Sequence, residues 1–210
     1  MTVKKISVIC RILCVALTLL MLPVSAFPAA AAGDTKSYNF AKGQHIEATN
    51  SYVPVEGFYN ATFLNDGEWK TLEGSNVKLG WNTDPYSGIG ETDPVDITIR
   101  LDGEYALETV VLYPMKWGNG ETFPRDFELQ GSTDGKTWFS VYPAQKNVSA
   151  KADSNTAVQP KTYELDAPVT IKFFRIHITR HSPVKDASGA ASSALGEIEL
   201  YGYGEGEMKE

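Results

Sequence analysis

Apolar and polar side chains alternate along several short runs of this chain, and the runs are too short for helices. Asp96-Ile97-Thr98-Ile99-Arg100-Leu101 alternates cleanly, as do Phe127-Glu128-Leu129-Gln130-Gly131 and Phe174-Arg175-Ile176-His177-Ile178-Thr179. Leu107–Tyr113 is apolar enough for a core strand, and Ile198-Glu199-Leu200-Tyr201 makes a last short one. A period of two puts successive side chains on opposite faces of a sheet, so each run predicts a strand with one buried face. Gly, Pro, Asn and Asp clusters separate the runs, which is the pattern of an antiparallel all-β domain. Asp134-Gly135, between the Phe127 run and Thr137–Tyr142, supplies residues tolerant of positive φ and predicts a hairpin turn.

Two stretches are too long for turns. Residues 50–95 hold aromatics, glycines and acids with little periodicity, and residues 143–159 are polar and low in large apolar groups. Long loops on a rigid sheet usually carry function, so the first stretch is where a site is expected, and the second is expected to be a mobile surface loop. The chain shows no internal repeat and no interdomain linker.

The first residues follow a different pattern. Met1 to Ala32 contain Lys4, Lys5 and Arg11 but no acid, then an apolar stretch from Ile12 to Leu22, then four alanines ending at Ala32. A basic start, an apolar middle and small residues before a cut site are the parts of a secretory signal peptide. A membrane anchor needs about 18–20 continuous apolar residues, and this stretch meets Pro23 first. Cleavage is expected after Ala32, with Ala26 as the alternative. The expected organisation is a signal peptide at 1–32, one β-domain at 33–203 and an acidic tail at 204–210. A secreted, extracellular protein with no membrane insertion follows.

Removing that segment changes the chemistry. Both cysteines, Cys10 and Cys14, leave with it, so the mature chain has no disulfide, no thiolate nucleophile and no cysteine metal site. It takes three of the 19 basic residues and none of the 26 acidic ones, leaving 16 against 26, a net charge of −10. That balance repels nucleic-acid phosphates and anionic lipid, and no basic patch offsets it, so a nucleic-acid partner is excluded.

Candidate chemistry is sparse. Asn65-Asp66-Gly67-Glu68 places two acids around a glycine that lets the backbone curl its carbonyls inward, which suits an oxygen-liganded cation; by spacing alone it is also an ordinary Asp-Gly turn. Sugar recognition needs a flat apolar face for the C–H side of the ring and polar groups for its hydroxyls. Trp69, Trp81, Tyr86 and Trp117 offer faces, and Asn82, Asn119 and Arg125 offer polar groups. Trp117, in the glycine-rich Trp117-Gly118-Asn119-Gly120, is the first candidate for stacking; packing under its own loop is its alternative. Trp81-Asn82 comes second, and Trp69 reads as structural. His177 reads as locally hydrogen-bonded, His181 as a rim residue within reach of a ligand, and His45 as an ordinary strand residue. No His-Glu-x-x-His, Gly-x-Ser-x-Gly or phosphate-cradling motif is present.

Several spaced pieces together resemble the discoidin domain, also called the coagulation factor V/VIII type C domain, whose bacterial relatives include galactose-binding-like carbohydrate-binding modules. Asn39-Phe40-Ala41-Lys42-Gly43 is similar to the family opening and Asn65-Asp66-Gly67-Glu68 to its Asp-Gly-acid loop. Phe123-Pro124-Arg125-Asp126-Phe127-Glu128-Leu129-Gln130-Gly131-Ser132-Thr133-Asp134-Gly135-Lys136-Thr137-Trp138 is the most specific match. Pro168-Val169, Phe173-Phe174-Arg175-Ile176 and Gly196-Glu197-Ile198-Glu199-Leu200-Tyr201-Gly202 follow in the family's order. The strand at Pro94–Gly103 lacks the tryptophan that commonly opens it, and the cysteine pair of many animal versions is absent, which resembles the bacterial type.

The resemblance implies an all-β antiparallel jelly-roll β-sandwich with Trp138 in its core. It implies one structural calcium ion held by Asp66, Glu68, Thr71 and Glu197. It also implies carbohydrate binding without turnover, with Trp117, Arg125, Asn119, Trp81 and Asn82 as the contacting residues and a glycan or glycoconjugate as partner. Adhesion to a cell-surface protein through the same loops is the alternative, and a small glycan-cleaving enzyme ranks third.

Overall fold

The computed structural model of the chain describes residues 37–52, 59–69, 80–84, 86–115, 121–150, 159–185 and 191–204. The chain divides into Met1–Asp34 and Thr35–Glu210, and the described residues all belong to the second unit. The expected signal peptide at 1–32 and the tail beyond Gly204 lie outside the described residues.

The described structure is almost all antiparallel strand. Its elements are β1 (Tyr38–Asn39), β2 (His45–Ala48), a 3₁₀ turn (Ala61–Leu64), β3 (Trp81–Asn82), β4 (Val95–Pro114), β5 (Asp126–Ser132), β6 (Phe139–Ser140), β7 (Lys161–Arg180), β8 (Ser182–Lys185), β9 (Ala191–Ser192) and β10 (Ala194–Gly204). The order across the main sheet is β1-β10-β4-β7-β5-β6, with β2 also on β4 and β3 also on β10; β8 and β9 form a separate ribbon. Every strand pair is antiparallel.

Two runs expected as separate strands, Asp96–Leu101 and Leu107–Tyr113, are one 20-residue strand, β4. Its first part pairs with β2 and with the end of β7; its second part pairs with β10 and with the beginning of β7. The β4–β7 register slips between Arg100 and Tyr105, around Asp102-Gly103. Such irregularities bend and twist a strand, and across this one β4 changes partner from β2 to β10 while keeping β7 on its other side. Alternation then does what it predicted: Ile97, Ile99, Leu129, Phe174, Ile176, Ile178, Ile198 and Leu200 are buried between the layers.

The Asp134-Gly135 turn forms as expected. Gly135 sits at φ 71°, and the Asp134 carboxylate accepts the Lys136 and Thr137 amides at 2.8 and 2.7 Å. Those backbone donors, the Thr137 one foremost, pull the Asp134 carboxyl down to about 2.

Two expectations are corrected here. Trp138 is not in the core: it lies half-buried on the outer face, with the Arg175 guanidinium 4.1 Å from its ring centroid. Arg175 is fixed over the ring by Gln130 Oε1, at 2.8 and 2.6 Å, and by Asp96 Oδ2 at 3.1 Å. The stretch from 143 is also no free loop in its first half. Gln145 and Phe127 exchange backbone hydrogen bonds, Val148 N–H donates to Arg125 O, and Ala150 is buried; residues 151–158 lie outside the described residues.

Trp81 is the largest side chain in the core, at 0% exposure. Gly80 makes its strand possible: at φ 70°, with any Cβ only 2.3 Å from Leu195 O, it lets β3 press onto β10. Trp81→Ala is expected to lower stability by about 3–5 kcal/mol, the range for emptying a large aromatic site, measured by urea denaturation.

Candidate functional site

Two constellations of polar and aromatic side chains stand out, and both are built where loops return to β10. The first is the acid loop. Asn65 anchors it, donating from its buried amide to Ala41 O at 2.7 Å and Gln44 O at 2.9 Å. Asp66 Oδ1 then accepts the Glu68 amide, and Gly67 N–H donates to Glu197 Oε1, both at 2.9 Å. Glu197 opens the regular part of β10 after a register shift at Gly196 and is 0% exposed. Its other oxygen, Oε2, is buried and accepts no hydrogen bond from the described residues.

A carboxylate in that setting resists ionisation. Burial, with the nearby Asp66 and Glu199 charges adding to it, pushes the Glu197 carboxyl up to about 8, against the opposing pull of the Gly67 and Asp66 amides. The donor set, two neighbouring carboxylates with one buried oxygen unsatisfied, fits a hard cation that takes oxygen ligands. Asp66 and Glu197 are thus brought together, as the family resemblance implies. Glu68 is exposed and lends its backbone amide, and no group of three or more His, Cys, Asp or Glu side chains is arranged for a metal among the described residues. Thr71 lies outside the described residues. Trp69 packs on Tyr113 of β4, centroids 4.5 Å apart, in the structural role expected of it.

The second constellation is a shelf of three tyrosines. Tyr52 lies between Tyr59, at 5.6 Å and 30°, and Tyr86, at 5.8 Å and 54°. Tyr86 is 76% exposed. The backbone beneath is tightly specified. Trp81 Nε1–H donates to Asn50 O at 2.8 Å and Ser51 Oγ at 3.0 Å. Asn50 accepts the Asp84 amide on Oδ1 at 2.6 Å and donates to Ser87 Oγ at 3.0 Å. Asp84 Oδ1 accepts Tyr86 N–H at 2.9 Å, closing the turn that lifts the ring into solvent. Tyr52 N–H donates to Asn82 O at 2.8 Å. Tyr59 holds φ 55°, sparsely populated for a bulky residue, beside Asn60, whose side chain caps the 3₁₀ turn through Thr62 N–H. Desolvation, followed by Tyr86, Tyr59 and Asp84, raises the Tyr52 phenol above its ordinary value.

Of this shelf the sequence marks only Tyr86 as a candidate face: Tyr52 meets Tyr59, 7 positions on, and Tyr86, 34 positions on, only through the fold, and no local motif marks Tyr52 or Tyr59. The expected contact residues fare differently. Trp81 is no stacking platform, because its ring is wholly inside the core. Asn82 lies beneath the shelf, its Oδ1 accepting Ser192 Oγ–H at 3.0 Å. Arg125, half-buried, donates from Nη1 to Val148 O at 2.8 Å, with its Nε buried and unsatisfied. Trp117 and Asn119 lie outside the described residues.

The histidines sort by burial. His45 is exposed on β2, and His177 Nδ1 meets Asp96 Oδ1 at 2.6 Å, the local partner expected. His181 is corrected: it is 0% exposed and touches no solvent. Its Nε2–H must donate, since its partner at 2.8 Å is the Asp93 carbonyl, and Nδ1 then accepts from Ser193 Oγ–H at 2.8 Å. Its own amide donates to Glu91 O at 2.8 Å, so one side chain and one amide fasten the 91–93 segment to the junction of β7 and β8, and Ser193 links that junction to the start of β10.

The F5/8 type C domain family model matches residues 45–193. A search of curated proteins finds no match. Among solved structures, CpGH89CBM32-5 from Clostridium perfringens, in complex with GalNAc-β-1,3-galactose, is 18% identical with TM-score 0.56, over 78% of this chain and 99% of that one. The family 32 carbohydrate-binding module of C. perfringens NanJ, in complex with galactose, is 17% identical with TM-score 0.53, over 79% and 99%. The C-terminal domain of a Bacteroides fragilis chitobiase is 17% identical with TM-score 0.56, over 79% and 98%. At these identities the likeness shows the β-sandwich fold.

Burial holds the His181 pKa below its ordinary 6.5. A depressed value means the unfolded chain takes up the proton first, so the stability this residue contributes is full above pH 6.5 and is lost as pH falls through the folded pKa. Urea midpoints measured from pH 7.5 to 5 are expected to fall more steeply in the wild type than in His181→Gln, which keeps a donor for Asp93 O and cannot titrate.

Proposed function

Because the chain belongs to the F5/8 type C domain family, we propose that it is a secreted, non-catalytic carbohydrate-binding module that holds glycan on the tyrosine shelf. The observation that carries this reading is Tyr86, three-quarters exposed on a turn fixed by Asp84 and Asn50, with Tyr52 and Tyr59 extending the aromatic surface behind it. An exposed ring on rigid backbone loses little entropy on binding, and its face covers the C–H side of a pyranose. Asn50, Asp84 and Ser87 surround it with hydrogen-bonding groups for the hydroxyls. The C. perfringens neighbours hold GalNAc-β-1,3-galactose and galactose, which supports a glycan as the ligand class. A glycan array is the direct test. Tyr86→Ala should weaken saccharide binding about five- to thirtyfold, the equivalent of 1–2 kcal/mol of stacking, with an unchanged melting temperature.

A protein partner is the second reading, because exposed tyrosines on rigid loops are also typical of protein-recognition surfaces. It predicts a flat glycan array and a partner interaction lost in the same variant.

A structural calcium ion belongs to the same proposal. Asp66 and Glu197 would hold it, and its charge would satisfy the buried Glu197 oxygen and tie the 65–68 loop to β10, a cross-link useful to a domain without disulfides. Calcium is expected to raise the melting temperature, by about 2.7 kcal/mol of stability at a hundredfold excess over Kd, and Glu197→Gln should abolish the rise. Identical melting with calcium and with chelator would exclude the ion. At pH above 8 the metal-free Glu197→Gln protein should be the more stable of the two metal-free forms, since it buries no charge.

A further inference from the structure

The loop that displays Tyr86 has both of its ends tied to one buried side chain. It leaves β3 at Thr83, turns at Asp84 and returns through Glu91 and Asp93 to β4. Its first end is pinned to Ser193, between β9 and β10. Thr83 N–H donates to Ser193 O at 2.9 Å and Ser193 N–H to Thr83 Oγ1 at 3.0 Å, both residues being buried. Ser192 holds Asn82 in the same way, and the Asn82 carbonyl takes the Tyr52 amide. The Ser193 hydroxyl then donates to His181 Nδ1 at 2.8 Å. The last end is pinned to His181 directly: its Nε2–H donates to Asp93 O and its backbone N–H to Glu91 O, each at 2.8 Å. Gly90 N–H on Asp93 Oδ2, at 2.8 Å, carries that attachment back toward Tyr86.

The ring can make both side-chain bonds in one protonation state only. Neutral imidazole offers one donor and one acceptor, and Asp93 O and the Ser193 hydroxyl use one each. A proton on Nδ1 would set N–H against the Ser193 O–H and leave a charge at 0% exposure. The charges that reach the ring are Glu91 and Asp93, both on the loop and both favouring the cation. Arg180, before it in the chain, is engaged with Asp126 and Glu91. Burial outweighs the two acids and favours the neutral ring.

We propose that His181 is the positioning residue of the tyrosine shelf: its neutral ring holds the Tyr86 loop closed at both ends, and its protonation releases the loop and the ligand with it. The clamp stands on the hydrogen bonds alone; the release of a saccharide rests on the glycan reading above. Opening lets the imidazolium reach water, so the open loop takes up one proton that the closed loop refuses. Acid therefore favours opening, and one proton shifts the closed-to-open ratio by at most about tenfold per pH unit. The shelf holds its ligand at neutral pH and loses it as pH falls below the ordinary histidine value of 6.5.

Hydrogen–deuterium exchange of the purified full chain, followed by mass spectrometry from pH 7.5 to 5, reads the loop without any ligand. His181→Gln is the reference at each pH, because intrinsic exchange is the same in both chains and glutamine cannot titrate. Wild-type peptides spanning 83–93 are expected to lose protection relative to the variant below pH 6.5, by up to about tenfold per pH unit, while peptides of β4 and β7 keep theirs. If His181→Gln fails to fold, the ratio of loop to sheet exchange in the wild type carries the same test, since the intrinsic pH effect cancels in it. Galactose, titrated in parallel, should lose affinity for the wild type over the same window and bind His181→Gln with no pH dependence there. Loop protection that matches the variant at every pH, or a loss shared equally by β4 and β7, would overturn the clamp. A released loop with unchanged galactose affinity would overturn its role in positioning the shelf. Galactose that binds at no pH would count against the glycan reading, and the clamp would then be upheld or overturned by exchange alone.

Discussion

The indole N–H of Trp81 joins the core to the candidate site. The ring fills the sandwich, and a polar group so deep must find a partner or cost the stability that burial gained. It finds the Asn50 carbonyl and the Ser51 hydroxyl. That requirement fixes Asn50, Asn50 fixes Asp84 and Ser87, and the turn they close holds up Tyr86. Displayed aromatic surface and hydrophobic core are therefore ends of one hydrogen-bonded chain. The geometry of the shelf is inherited from packing and does not have to be made by the loop itself.

The same logic explains why polar groups are buried at the edges of the sandwich. His181 and Glu197 are wholly inside, and each receives loop backbone: His181 takes the 91–93 segment and Glu197 the 66–67 segment. Loops without disulfides need attachments of another kind, and buried side chains that accept or donate to main-chain groups supply them. The difference between the two is electrostatic. His181 is satisfied as a neutral group, whereas Glu197 carries more acceptor capacity than its surroundings use.

What the sequence made legible follows from what is local. Alternation located the strands, because burial of every second residue is a property of a few consecutive positions, and Asp134-Gly135 was readable because the turn chemistry is complete within four residues. The continuity of β4 through Asp102-Gly103 was not, since a bulge reads as a turn until the partner strand is known. Asp66 and Glu197 were paired only through a resemblance, being 131 positions apart. Tyr52 and Tyr59 were missed for the same reason, and Trp138 was misplaced because the Arg175 guanidinium that covers its ring comes from 37 positions away.

The pairing of β1 with β10 has a mechanical consequence. Tyr38 opposes Gly202 and Asn39 opposes Tyr201, antiparallel, so the chain enters and leaves this domain at adjacent points on one edge. Tension applied through both ends would load those rungs one after another, as a zipper is opened, instead of shearing them together. β1, with two residues, would peel away at low force, while the long β4–β10 ladder behind it would bear the load next.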